Sequence, residues 1–357
     1  MKKFYLPAIV AVMGMSMASC SDDDKNIPQN PDAPETATGL FVLNQGNFYN
    51  AIDGSLNLIN FQSGESRQNA FKTANGRSLG DTPQCGTSYG SKTYVGVYES
   101  NTIEIIDANM KSVKQIRLEG NGKQPRSIVA HEGKVYISMY DGYVARLDTA
   151  TLTIDKTVQV GPNPEIIAIY NGKIYVPNSD GMNWQNGYGK TASEIDIATF
   201  TVTKTFEVPV NPDQFYATED GLFLLSKGNY IDVSSNLYKI NSDYTAKEVA
   251  PATIACIANG GLMIINDPFY GAQPAEYSFY DSASGQIRKL NVEKVEYPNA
   301  IYYDEINDKV FVASYVMNGQ YPSYDLPGYV NEYDSQMNFI KKYDVGAGPA
   351  CMFNKYQ

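Results

Sequence analysis

From residue 39 onward the chain alternates apolar and polar positions in short runs, and the same order of runs keeps returning. A proline leads into an apolar run, a turn with Gly or Asp-Lys, an alternating run, a loop, another run, a polar turn and a last run. Two adjacent copies carry the pattern. Pro125-Arg-Ser-Ile-Val-Ala passes through Glu132-Gly-Lys to Val135-Tyr-Ile-Ser, then Val144-Ala-Arg-Leu-Asp and Lys156-Thr-Val-Gln-Val. Pro164-Glu-Ile-Ile-Ala passes through Asn171-Gly-Lys to Ile174-Tyr-Val, then Glu194-Ile-Asp-Ile and Lys204-Thr-Phe-Glu-Val. Alternation with period 2 and many β-branched residues predict strands, and the short Gly-bearing turns predict antiparallel hairpins.

The leading proline recurs at Pro83, Pro125, Pro164, Pro212, Pro251, Pro298 and Pro349, a mean spacing of about 44 residues. A four-strand unit of that length is the period of a β-propeller blade. Six units follow from Pro83. Half a unit remains at each end: Pro349-Ala-Cys-Met-Phe, and strands from Leu40 to about Phe71. Joining the two halves closes the ring and leaves no bare sheet edge. The expectation is an all-β, seven-bladed β-propeller in one domain, residues 39–357, whose closing blade is shared between N- and C-terminal strands. An open solenoid needs no complementary half-units, and two sandwiches would not keep one period throughout.

With strands counted outward from the axis, the loop between strands two and three and the link to the next blade leave one face. The other two turns leave the opposite face. The expected second-to-third loops (44–53, 97–101, 139–143, 177–192, 226–236, 266–276 and 314–329) are long and variable and hold about twice the aromatic density of the opposite turns. Variable loops on a rigid scaffold are where binding groups collect. The candidate rim is therefore Tyr49, Tyr98, Tyr140, Trp184, Tyr188, Tyr230, Phe269, Tyr270, Tyr315 and Tyr321, led by Trp184, the single tryptophan. The plain alternative is that such rings pack their own loops. The residues after the marker prolines, Gln84, Arg126, Glu165, Asp213 and Asn299, are expected at the mouth of the central channel, as ligand groups or as strand-end caps holding channel water.

Charge narrows the reading. The chain has 28 Lys+Arg against 39 Asp+Glu, which excludes the clustered cations a nucleic-acid surface needs. The one histidine, His131, falls in an expected far-face turn, so His-ligated metals and His-based catalysis lack their residues. Asp180 and Asp267 belong to no recognisable calcium loop. No catalytic residue, metal or catalytic cofactor is expected, although a carboxylate-only hydrolase stays open. Cys85, Cys256 and Cys351 lack paired spacing and read as small buried hydrophobes, with one disulfide left open.

The first residues read as an address. Lys2 and Lys3 precede an apolar run from Phe4 to Met17, then Ala18, Ser19 and Cys20. The run has signal-peptide length and is short for a membrane span. This order resembles a bacterial lipoprotein signal, which implies removal of residues 1–19 and lipidation of Cys20. Residues 20–38, with Ser21-Asp22-Asp23-Asp24-Lys25 and a Pro/Asn/Asp-rich stretch, read as a lipidated flexible acidic tether. The acidic run resembles the surface-export signal of Bacteroidetes lipoproteins.

The repeats also resemble the YncE-like seven-bladed propeller lipoproteins. With the leader and the acidic run, the chain is similar to the surface cobalamin-capturing lipoproteins of gut Bacteroidetes, the BtuG type. That resemblance implies a cell-surface, outer-membrane lipoprotein without enzymatic activity. It would bind cobalamin (vitamin B12) and related corrinoids as transported ligand and pass them to a TonB-dependent outer-membrane transporter of the BtuB type. It would be monomeric apart from that transporter. The rival readings are a glycan-binding or adhesion propeller and a protein scaffold.

Overall fold

The computed structural model describes residues 36–268 and 273–357, so Cys20 and the leader, Phe269 and Tyr270 lie outside the described residues. The described chain forms seven antiparallel four-stranded sheets and one two-stranded ribbon, Met317–Asn318 with Tyr321–Pro322. These are the seven blades of a propeller. In chain order, blade 1 holds Ala37–Asn44, Ser55–Asn60 and Glu65–Arg67 with Pro349–Tyr356, and blades 2 to 7 span 83–117, 125–159, 168–207, 212–251, 254–290 and 297–347.

Blade 1 closes the ring. Its innermost strand, Pro349–Tyr356, runs antiparallel to Ala37–Asn44 with Leu40 opposite Asn354 and Phe41 opposite Phe353. The Phe41 and Phe353 rings meet at 5.6 Å between centroids. The division is three strands to one rather than two equal halves, because the last eight residues of Pro349–Tyr356 have length for a single strand. The N-terminal strands also end sooner than expected. Arg67 is the last, and Ala70–Asn75 is a short helix whose Ala70 and Phe71 pack with Leu56, Leu79 and Ile106.

Each middle strand is covered on both sides by neighbouring blades. Gly221–Ser226 is buried at every position, which explains why Leu222-Phe-Leu-Leu reads as a continuous apolar run rather than an alternating one. Full burial of one such Phe or Leu side chain is worth about 2–3 kcal/mol. Outermost strands alternate instead; Thr201–Glu207 buries only Phe206.

Two marker prolines behave differently from the rest. Pro251 ends the outer strand Ala246–Pro251 of blade 5, and the inner strand of blade 6 begins at Ile254. An outer edge tolerates proline, since its missing N–H has no neighbouring strand to serve. Pro164 precedes a short inner strand, Ala168–Tyr170, and there Ile166 instead makes a parallel bridge to Gln214 of blade 5.

Candidate functional site

The inner strands carry a repeated irregularity at the loop-rich end. In blades 2, 3, 5 and 7 the register of the first hairpin shifts, between Pro83 and Cys85, Pro125 and Ser127, Pro212 and Gln214, and Pro298 and Ala300. The extra residues are Gln84, Arg126, Asp213 and Asn299. A β-bulge of this kind re-aims one side chain and bends the strand. Blade 1 has the same shift with Ala350 as the extra residue, so its side chain offers no polar group.

These side chains reach from one inner strand to the next. Gln45 Nε2 donates to Gln84 Oε1 at 3.4 Å, and Arg126 Nη1 donates to the same oxygen at 2.9 Å. Arg126 Nε donates to Glu165 Oε2, and Ser179 Oγ donates to Glu165 Oε1 at 3.0 Å. Further round, Lys227 Nζ lies 3.5 Å from Asp213 Oδ2, and Asn299 Nδ2 donates to the Pro349 carbonyl at 2.7 Å. Gln45, Ser179 and Lys227 contribute to this set alongside the residues after the prolines. They follow no marker proline, and only the closed ring brings them beside residues that do.

Each cation of this set faces a carboxyl group, Arg126 with Glu165 and Lys227 with Asp213. Burial pushes the Glu165 carboxyl above its usual range, with Arg126 pulling the other way and Asp213 adding to the rise. Burial also works against the Arg126 charge, but the carboxylates of Glu165 and Asp213 more than restore it. The Tyr140 phenol is pushed up to about 12 by burial and by the Glu165 charge, so it remains protonated through the neutral range.

Above this ring the observed second-to-third loops fall within a few residues of their expected windows. Tyr98 and Tyr140 stand edge to face at 5.8 Å, with the Arg126 guanidinium 5.8 Å from the Tyr140 ring centroid. Tyr188 meets Tyr230 edge to face at 5.9 Å across blades 4 and 5. Tyr315 is buried between Tyr297 and Tyr324, so it supports the rim rather than offering a free face. Trp184 sits on a 3-10 helix, Gly181–Asn186, with none of its residues buried, and is 59% exposed. A Cβ on Gly181 would come within 2.6 Å of the Tyr140 hydroxyl, so glycine there lets this loop rest on Tyr140.

Exposed apolar surface concentrates on this face. Among the described residues, Phe48, Tyr49, Met182, Trp184, Tyr230, Ile231, Val233, Tyr321, Tyr324 and Leu326 are all exposed loop residues. They belong to blades 1, 4, 5 and 7. Blades 7 and 1 are neighbours, as are 4 and 5, and the two groups stand on nearly opposite sides of the ring. The short loops of blades 2 and 3 leave a low saddle between these two crests. The crest of blades 7 and 1 is tied together by Asp325, whose carboxylate accepts from Asn47 Nδ2 at 2.7 Å and Asn50 Nδ2 at 2.8 Å. Beside it, a cavity of about 490 Å³ opens between the two blades, lined by Asp53, Gln68, Asn69, Tyr329 and Lys342 among others.

The opposite face is built from tight turns. His131 ends the inner strand of blade 3 there, with Nε2 at 3.9 Å from the Glu132 carboxylate. Among the described residues no group of three or more His, Cys, Asp or Glu side chains is placed to hold a metal ion. Cys85, Cys256 and Cys351 are free thiols. Burial pushes Cys256 and Cys351 up to about 12.

No curated protein sequence matches the chain. Solved structures match as folds. A quinonprotein alcohol dehydrogenase-like protein from Bacteroides thetaiotaomicron shares 15% identity over 89% of this chain and 78% of its own, with a TM-score of 0.61. The Kuenenia stuttgartiensis hydrazine synthase shares 13% over 75% of this chain and 88% of that one, with a TM-score of 0.57. A catalytically inactive virginiamycin B lyase from Staphylococcus aureus shares 15% over 73% and 83%, with a TM-score of 0.55. Residues 38–254, more than half of the chain, match the family described as Domain of unknown function (DUF5074), and the protein belongs to that family.

Proposed function

We propose that this propeller is a non-enzymatic surface lipoprotein that captures corrinoids, vitamin B12 among them, on its loop-rich face. It delivers them to a TonB-dependent outer-membrane transporter of the BtuB type. The observation that supports this most is the pairing of a hydrogen-bonded polar arc, Gln84–Arg126–Glu165–Ser179, with two exposed apolar crests above it. A corrin is a broad disc with apolar edges and many side-chain amides. Apolar crests fit the edges, and a few fixed polar groups orient the amides. A polar set whose cations each face a carboxyl group does not select a simple polyanion or polycation.

The Staphylococcus aureus virginiamycin B lyase is catalytically inactive with one histidine replaced by alanine. Here the single histidine, His131, lies on the tight-turn face, away from the loops. For the same reason no imidazole on the loop face can displace the corrinoid's lower base, so the cobalt ligands stay unchanged on binding.

Size-exclusion chromatography with cyanocobalamin, followed by a mixed glycan panel, tests the reading. The red compound co-elutes with the protein and keeps its free visible spectrum, and Trp184→Ala weakens retention about tenfold, the range of an interface anchor. A cobalt-ligand shift refutes the bystander role of His131. Failure to retain cyanocobalamin together with retention of an oligosaccharide transfers the face to glycan binding, for which exposed Trp184 and Tyr49 offer stacking surfaces.

A further inference from the structure

No residue of the channel ring lines the cavity of about 490 Å³ between blades 7 and 1, whose volume is that of a small-molecule site. Three aspartates, Asp53, Asp325 and Asp344, line it against a single cation, Lys342. The Asp325 carboxylate is held by Asn47 and Asn50. Among the described residues, the carboxylates of Asp53 and Asp344 have no hydrogen-bond or ion-pair partner. Lys342 is engaged elsewhere, with Nζ 3.7 Å from the centroid of the Tyr329 ring. Gln68 Nε2 spans the two blades by donating to the Asp344 carbonyl at 2.7 Å.

The floor of the cavity is short of a donor. Asn44 ends the second strand of blade 1 as Asn178 ends that of blade 4. Each packs against a glycine of the preceding blade: a Cβ on Gly161 would come within 2.5 Å of Asn178 Cγ, and one on Gly346 within 2.9 Å of Asn44 Cγ. Both amides donate to the neighbouring strand, Asn178 Nδ2 to Ser193 Oγ at 3.1 Å and Asn44 Nδ2 to Ser55 Oγ at 3.0 Å. In blade 4 the Gly161 N–H then donates to Asn178 Oδ1 at 3.2 Å. In blade 1 Asn44 Oδ1 is buried and has no partner among the described residues. Gly346 and Ser55 both line the cavity, so this orphaned acceptor lies at its floor. Buried acceptors are ordinarily paired with protein or water.

We propose that this cavity binds a small organic cation rich in N–H donors, of the amine or guanidinium class. Acceptors outnumber donors on its walls, so such a ligand brings both the charge that pairs with Asp53 and Asp344 and the donor that Asn44 lacks, directly or through one water. An anion meets three carboxylates instead. A sugar finds no open ring to stack on, because Tyr329, the aromatic residue of the lining, is buried with Lys342 over its face. The site is separate from corrinoid capture, and neither reading depends on the other.

The test titrates agmatine, which carries a guanidinium and an ammonium group, into the full chain in non-ionic detergent by isothermal titration calorimetry. Glucose and glutarate serve as neutral and anionic probes. The expected result is saturable binding of agmatine at one site per chain and no binding of the other two. Asp53→Asn and Asp344→Asn are each expected to weaken it about fivefold, and Lys342→Gln, which removes the competing cation, to strengthen it about twofold. All three positions are exposed, so thermal melts like that of the unaltered chain are expected to accompany these changes. Absence of agmatine binding, binding of glucose or glutarate in its place, or agmatine binding that neither aspartate variant weakens overturns the proposal. Cyanocobalamin titrated into the same samples reads the capture proposal separately, so the failure of one and the failure of the other remain distinct results.

Discussion

At the scale of single residues, the ring around the channel depends on one buried charge relation. Glu165 has 7% of its side chain exposed, and Arg126 has 30%. Removing the cation alone leaves a carboxylate buried without its partner, which costs more than the pair itself contributes. Arg126→Ala is expected to lower unfolding free energy by about 2–3 kcal/mol, below the fully buried range because Arg126 is partly solvated. Combining it with Glu165→Leu removes the orphaned charge and restores part of that loss. Urea unfolding of the three proteins checks this; a double variant weaker than the single by a further full increment shows that the two side chains do not act as a pair. Trp184 offers a second readout. As the single tryptophan, 59% exposed, it is expected to emit like solvent-exposed indole and to be quenched when cyanocobalamin binds. Saturable binding that leaves this emission unchanged places the ligand away from blade 4.

Among the elements, the strand Pro349–Tyr356 has the largest consequence. It supplies the innermost position of blade 1, and its Met352 and Phe353 are buried, the first against blade 7 and the second against blade 2. Deleting residues 349–357 leaves Ala37–Asn44 as a bare edge beside the channel and opens the ring. The truncated chain is expected to lose its cooperative thermal transition by circular dichroism. A soluble truncation with a wild-type melt contradicts closure by this strand. The closure was readable from the sequence because the repeats left complementary fragments at the two ends. The three-to-one division was not, since strand count in a fragment depends on which run finds an edge to pair with. Pro251 shows the same limit: a proline ending an outer strand and one beginning an inner strand look alike until the neighbouring sheet is in place.

For the whole molecule, the tight-turn face sets the response to acid. Lys134 beside Asp148 holds that carboxyl below its usual range, and the turn groups of Thr199, Ser284 and Asn338 do the same for Asp196, Asp281 and Asp334. A carboxyl whose folded pKa lies below its unfolded value contributes stability that is complete above about pH 4 and lost as pH falls through the folded value. Glu165, raised by burial, acts in the opposite sense, but it is one group against several. The melting temperature is therefore expected to hold level from pH 7 to 5 and to fall steeply below pH 4. A melting temperature that rises on acidification to pH 3 contradicts this sign.

The order of apolar and polar runs, by itself, determined that this chain is all-β, that it repeats with a blade's period and that its ends belong together. Local alternation and turn chemistry act between residues close in sequence, so they survive in the linear text. The same text indicated which loops are long and aromatic, and which residues follow the marker prolines. Only the tertiary structure decided that Gln84, Arg126, Asp213 and Asn299 are bulged residues. It also brought Gln45, Ser179 and Lys227 to them and buried Tyr315. Those facts depend on which inner strands stand side by side around the axis, a relation between residues some forty positions apart that no local pattern carries.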